Sequence, residues 1–153
     1  MTTSDSPRFE RPWQVNLTSD TDQLAGLRDT VAEAARLMGF NETAVAQIVL
    51  AIHEAIMNVI RHGYDGRPGQ PIEVVIEPVR HKARRALQIT IRDCGRQVDP
   101  ESIVGRDLND VRPGGLGTHI IRNVMDEVEY SIRQPRGMSL RMVKALATDR
   151  PEA

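Results

Sequence analysis

The chain contains a single cysteine, Cys94, among its 153 residues. One thiol cannot close an internal disulfide, and no Cys/His spacing resembles a zinc cluster, which fits a reducing compartment. Aromatic residues are scarce as well, at 3%, so Ile, Leu, Val, Met and Ala must fill the core. Neither sign of charge is in excess: 20 basic and 21 acidic residues give a formal net charge of −1. That balance lacks the basic surplus typical of a nucleic-acid-binding protein. No apolar run approaches the roughly 20 residues required to span a bilayer, and residues 1–12 lack the apolar centre of a signal peptide. Internal repeats and low-complexity tracts are absent too. These absences predict a cytoplasmic protein that engages neither nucleic acid nor membrane.

What is present is ordinary in amount. Hydrophobic residues make up 40% and charged residues 27%, values normal for a globular protein, and the length allows one core. Residues 1–12, rich in Ser, Thr, Pro and charge, read as a disordered tail, residues 13–146 as the folded domain, and 147–153 as a C-terminal tail. Alternation of Trp13, Val15 and Leu17 with polar residues predicts a strand over 13–18. Ser19 or Asp20 is placed to cap a helix that runs to Met38, where Gly39 ends it. Asn41 caps a second helix over 42–62, stopped by Gly63. Strands are expected over 72–79 and 86–93, joined by a basic connection over 80–85 that reads as a solvated hairpin end. Residues 95–113 carry Gly, Pro, Asp and Asn without a period, and loops of that length are usually functional or mobile. A third helix starts near Gly117. Final strands over 127–133 and 138–145 flank the turn Gln134-Pro135-Arg136-Gly137. The order β-α-α-β-β-loop-α-β-β predicts an α+β two-layer sandwich.

Three local patterns carry chemistry. In the second helix, Val45, Ile48, Val49, Ile52, Ile56, Val59 and Ile60 fill one arc and form the core stripe. Glu54, Asn58 and His62 follow at i, i+4 and i+8 on another face, interleaved with the small Ala51 and Ala55. That strip leaves room for a ligand, although a solvated helix face has the same composition, and His62 also suits the negative end of the helix dipole. The strand over 86–93 ends in Asp93-Cys94-Gly95-Arg96. A carboxylate there, followed by glycine, suits a polar anchor with backbone passing close to a ligand, or a plain strand-to-turn transition. Lastly, Pro113-Gly114-Gly115-Leu116-Gly117-Thr118 opens directly into a helix. Its backbone N–H groups and the helix dipole suit a phosphate, unless it is only a flexible loop. Neither the Walker pattern nor the Rossmann pattern fits it.

Taken together and in this order, the patterns resemble the GHKL ATPase superfamily, named for gyrase, Hsp90, histidine kinases and MutL. The segment from Glu54 through Asn58 to His62-Gly63 is similar to its N box, and Asp93-Cys94-Gly95-Arg96 and Gly114-Gly115-Leu116-Gly117 to its two glycine boxes. The compact size and the Asp-x-Gly-Arg-x-x-Asp-Pro run from Asp93 to Pro100 most resemble the RsbW/SpoIIAB-like anti-sigma-factor serine/threonine kinases. The resemblance implies the Bergerat fold: helices on one face of a mixed, mostly antiparallel sheet, with ATP between the helices and a lid over 96–113. It implies that Asn58 ligates Mg²⁺, that Asp93 accepts a hydrogen bond from the adenine amino group, and that Gly95 lets the base lie close. Gly115, Leu116, Gly117 and Thr118 would hold the phosphates, His62 would belong to the same nucleotide site, and Glu54 would act as general base. Two positions depart from the pattern. Gln97 stands where many relatives have a second glycine, and Gly137-Met138-Ser139 stands where a Gly-Thr is common.

For partners, the resemblance implies a STAS-domain anti-anti-sigma protein as phosphoacceptor, a sigma factor or similar target held by sequestration, and a homodimer. The competing reading is a non-catalytic adaptor that sequesters its target without phosphotransfer; a nucleotide hydrolase without a protein substrate is a third. A sensor histidine kinase is disfavoured because no phosphoacceptor helix pair is expected before the domain.

Overall fold

The structure is a computed structural model that describes residues 8–104 and 115–147. The elements are β1 (Trp13–Thr18), α1 (Leu24–Met38), α2 (Glu42–Asn58), β2 (Pro71–His81), β3 (Arg84–Asp93), α3 (Pro100–Val104), α4 (Gly115–Val124), β4 (Glu127–Ile132) and β5 (Met138–Ala145). The strands form one sheet in the order β1-β2-β3-β5-β4, and every pairing is antiparallel. The two-layer α+β architecture is thus present. The mixed sheet is corrected to a wholly antiparallel one among the described residues.

Alternation along the strands separates the two faces of the sheet. Ile72, Val74 and Ile76 of β2, Ile89 and Ile91 of β3, and Leu140 and Met142 of β5 are buried in one cluster with the helices. Between them stand residues of the other face. There Arg92 donates to Glu73 directly across the ladder at 2.9 Å, and Gln88 donates to Glu77 at 2.7 Å. Helix α2 packs against both α1 and α4, and its Ile48, Ile52 and Ile56 are fully buried. Each such side chain contributes roughly 1.5–3 kcal/mol relative to exposure. By length and mean hydropathy alone Glu42–Gly63 would pass as a membrane span, but Gln47, Glu54, Asn58 and Arg61 interrupt it, and here it is the core helix packed on α1 and α4.

Several local signals act as expected. Asn41 Oδ1 accepts from the Ala44 N–H at 2.8 Å and caps α2, and Gly39 ends α1 with φ at +104°, a conformation that favours glycine. Others differ. Neither Ser19 nor Asp20 makes a side-chain cap, because α1 is entered through a 3₁₀ turn over Thr21–Gln23 and Ser19 Oγ instead donates to the Arg67 carbonyl at 2.5 Å. The basic connection is shorter than expected: the hairpin turns on Lys82 and Ala83 alone, both with positive φ (49° and 66°), as a two-residue type I′ turn requires. Helix α4 begins at Gly115, two residues before the predicted start. The tail expected over 1–12 is also narrower, because Phe9 is 4% exposed and meets Trp13 edge-on with ring centroids 4.9 Å apart. Residues 1–7 and 148–153 lie outside the described residues.

Candidate functional site

Helix α2 does not end as a regular helix. After Asn58 the chain continues through a π-helical turn, Val59–Gly63, in which the Tyr64 N–H donates to the Val59 carbonyl at 3.0 Å. The wider turn alters the direction of the side chains that follow, and such turns recur at functional sites. The straight helix expected to residue 62 is corrected on this point. The turn brings Gly63 against the end of β3. A Cβ on Gly95 would collide with the Gly63 carbonyl oxygen, and that same oxygen accepts from the Arg96 N–H at 2.8 Å. The missing side chain of Gly95 therefore lets two backbone segments touch.

Tyr64 secures the same junction. Its hydroxyl donates to the Pro71 carbonyl at 2.5 Å and accepts from the Cys94 N–H at 2.6 Å. Burial pushes its pKa up, opposed in part by the hydrogen bond from Cys94. Sequence reading passed over this residue. The available signal was a tyrosine, one of two in an aromatic-poor chain, directly after the glycine that stops the helix.

Asp93 is the buried anionic group of the site, 4% exposed. Its Oδ1 accepts from the N–H groups of Gly95 at 2.9 Å and Met138 at 3.2 Å. Burial raises its pKa above the ordinary carboxylate value, while those two N–H groups and the nearby Arg133 act in the opposite direction. The other oxygen, Oδ2, has no partner among the described residues. Gly137 allows this arrangement. With φ at +91°, it passes so close to Asp93 that an added Cβ would overlap the Asp93 carbonyl.

A cavity of about 240 Å³ opens beside these groups. Ala55, Val59, Ile91, Val98, Leu140 and Tyr130 supply apolar wall, and Asn58, His62, Asp93 and Arg96 supply polar groups. Its volume is below the ~300–1,000 Å³ that encloses a whole drug-sized ligand, so it suits one part of such a ligand with the rest of the molecule outside. Ala55 is fully buried and contributes to this wall as the small-residue strip required. Ala51 is equally buried but does not line the cavity.

Of the predicted site residues, Asn58, His62 and Asp93 meet in this cavity. Gly95 stands beside it as the donor to Asp93. Glu54 is half-buried one turn before Asn58 on α2 and does not line the cavity. Gly115 and Gly117 form the start of α4, the helix that packs on α2. The side chains of Leu116 and Thr118, together with Gly114 and lid positions 105–113, lie outside the described residues. The front of the predicted lid is not a structureless loop, because Pro100–Val104 is helical. Asp99 Oδ1 accepts from the Glu101 N–H at 3.0 Å, so Asp99-Pro100 is an N-cap followed by proline at the first helical position. That dipeptide was a legible start signal.

Both departures from the family pattern have a structural reading. The Gln97 side chain leaves the cavity and donates to the Arg133 carbonyl at 2.5 Å. Met138 lines the cavity and offers its N–H to Asp93. By strand alternation Ser139 faces the other side of the sheet, so its hydroxyl does not replace the missing threonine. Asn58 has no hydrogen-bond partner for its side-chain amide among the described residues, which leaves its oxygen available to a metal ion. No group of three His, Cys, Asp or Glu residues able to hold a metal occurs among the described residues. A cation here would draw most of its ligands from a bound phosphate and water, as Mg²⁺ commonly does.

The chain is similar to known proteins along most of its length. A Serine-protein kinase RsbW from Bacillus pumilus is 26% identical over 132 residues, covering 81% of this chain and 79% of the relative. Its counterpart from Halalkalibacterium halodurans is 25% identical over 152 residues, covering 93% and 89%. Among solved structures, the RsbU and RsbW domains of a Mycobacterium tuberculosis protein superpose with a TM-score of 0.61 at 18% identity, covering 92% of this chain and 33% of that longer one. This last likeness speaks for the fold. The profile of the histidine kinase-like ATPase domain matches residues 17–144, and the chain belongs to that family.

Proposed function

We propose that the chain binds ATP with Mg²⁺ and phosphorylates a serine or threonine of a STAS-domain anti-anti-sigma protein, in a partner-switching system in which it also sequesters a sigma factor or a comparable target. The observation that carries this reading is the buried Asp93 carboxylate in the same cavity as Asn58: among the described residues one Asp93 oxygen accepts two N–H bonds, while the other oxygen and the Asn58 amide have no partner. A free acceptor oxygen beside apolar walls selects a ring with a donor at its edge, and the adenine amino group is such a donor. The sugar and phosphates then leave the cavity. Asn58 holds Mg²⁺ through its amide oxygen, and the α4 N-terminus with Gly115 and Gly117 meets the phosphates. The Mg²⁺ ion supplies neutralisation of the charge on the transferring group.

Glu54 takes the proton from the incoming hydroxyl. That oxygen bonds to the γ-phosphorus as the bond to the β–γ bridging oxygen breaks, and ADP leaves. Positioning and charge neutralisation account for most of the acceleration. Retention of both Glu54 and Asn58 favours this reading over a non-catalytic adaptor. A homodimer is part of the same reading and is checked by light scattering.

The direct test is transfer of label from γ-labelled ATP to a purified STAS-domain protein from the same genome. Label is expected on one hydroxyl residue and absent when that residue is replaced by alanine. Sequestration of a sigma factor without any ATP-dependent labelling would support the adaptor instead.

A further inference from the structure

The turn between β4 and β5 makes contacts with the end of β3 that the proposed nucleotide chemistry has not used. Arg133 Nη1 donates to the main-chain carbonyl of Asp93 at 2.7 Å. The Arg133 carbonyl in turn accepts from Gln97 Nε2 at 2.5 Å, and the Arg133 N–H donates to the Gly137 carbonyl at 3.0 Å. One residue thus holds three segments: the Asp93 strand end, the first residues after the Gly95 turn, and the tight turn at Gly137. Neither Arg133 nor Gln97 lines the cavity.

From this geometry we infer that Arg133 is a positioning residue for base recognition, acting through Asp93, and that Gln97 is its support. The inference deepens the proposed nucleotide site and rests on it. The physical argument concerns rotation of the Asp93 carboxylate. Its Oδ1 is held by the N–H groups of Gly95 and Met138, which belong to separate segments, and Oδ2 is aimed at the ligand only while those two donors keep their spacing. Arg133 is bonded to the main chain on both sides of that gap, at Asp93 and at Gly137. A guanidinium–carbonyl bond is charge-assisted and stronger than a neutral one, and the Arg133 side chain is half-buried, so the link is shielded in part from competing water. Gln97 adds a second tie from the segment that continues into α3. The glutamine that departs from the family pattern therefore has a function in this chain: it connects the start of the lid region to the arginine that orients the base-reading carboxylate.

The test compares ATP with ITP, which carries a carbonyl in place of the adenine amino group, on wild type, Arg133→Ala, Arg133→Lys and Gln97→Ala, with calorimetric affinity and melting temperature as readouts. Arg133→Ala should weaken ATP binding about tenfold and narrow the ATP-to-ITP preference, because the misaimed carboxylate no longer rewards the amino group. Arg133→Lys should restore part of the preference, and Gln97→Ala should weaken ATP about two- to threefold. Equal loss for ATP and ITP, or no loss in either, would overturn the positioning role while leaving the nucleotide site intact. Absence of ATP binding by the wild type would overturn the site itself and this inference with it. Should Arg133→Ala fail to fold, the Lys and Gln97 variants give the same comparison.

Discussion

The two ends of strand β3 are built on opposite plans. At the Asp93 end a carboxylate is buried, two backbone segments touch through Gly63 and Gly95, and Gly137 approaches more closely than any side chain would permit. At the Arg84 end the hairpin turns on two exposed residues, Lys82 and Ala83, with Arg84 and Arg85 exposed beside them. The larger depression of the molecule, about 1680 Å³, lies at this second end. Its volume does not make it the site. It is edged by solvated charge, with Arg8, Glu10, Lys82, Arg84 and Arg85 exposed around it, whereas the small cavity has converging polar groups on apolar walls. Where buried polarity and glycine-only contacts gather, a structure is built around a ligand at some expense in stability. Where charge is solvated and the turn is simple, stability is the main concern.

Substitutions at the two ends should therefore separate function from stability. The largest effect is expected from Glu54→Gln, close to the first end: phosphotransfer should fall by about 10²–10⁴-fold while ATP affinity is kept, as single-turnover kinetics and calorimetry would show together. Full transfer by this variant would remove Glu54 as the base. Gly137→Ala should destabilise the fold by about 3 kcal/mol or more, measured by urea unfolding, because its Cβ has no space beside the Asp93 carbonyl. A cost under about 0.5 kcal/mol would mean the close approach is not maintained in solution.

Asp93→Asn should weaken ATP about 10- to 100-fold and yet raise the melting temperature of the ligand-free protein at pH 7. Burial lifts the Asp93 pKa, so as pH falls the native state takes up this proton before the unfolded chain does. The group favours folding at low pH, and that contribution is lost as pH rises through the raised pKa. The stability gap between Asp93→Asn and wild type should accordingly close on acidification, and a constant gap would contradict the burial account. At the other end, Lys82→Asn with Ala83→Gly should stabilise the hairpin by about 1 kcal/mol and leave ATP affinity unchanged; altered affinity there would undo the separation of the two ends.

Much of this plan was legible in the sequence. Strands β1 and β5, the Asn41 cap and the Gly39 stop follow from alternation and local chemistry, which need no tertiary information. Asn58, His62 and Asp93 were found because their spacing and their glycine neighbours repeat a known pattern, and they do converge. What was not legible depends on contacts between segments far apart in the chain. Tyr64 reaches Cys94 across 30 residues and Arg133 reaches Asp93 across 40, and no periodicity reports such pairs. The π turn has a related reason: Val59–His62 continue the apolar period of the helix, and the wider turn is seen only in which carbonyls the following N–H groups find. Phe9 was lost to a tail because its only strong local signal, a single aromatic, is outweighed by the Pro and charge around it.

The central claim is that Asp93 reads the base of a bound adenine nucleotide. Calorimetric titration of the full chain with ATP and Mg²⁺, alongside Asp93→Asn, tests it most directly. Saturable one-site binding by the wild type, weakened at least tenfold in the variant, is the predicted result. No binding at millimolar ATP, or equal affinity in the two proteins, would contradict it.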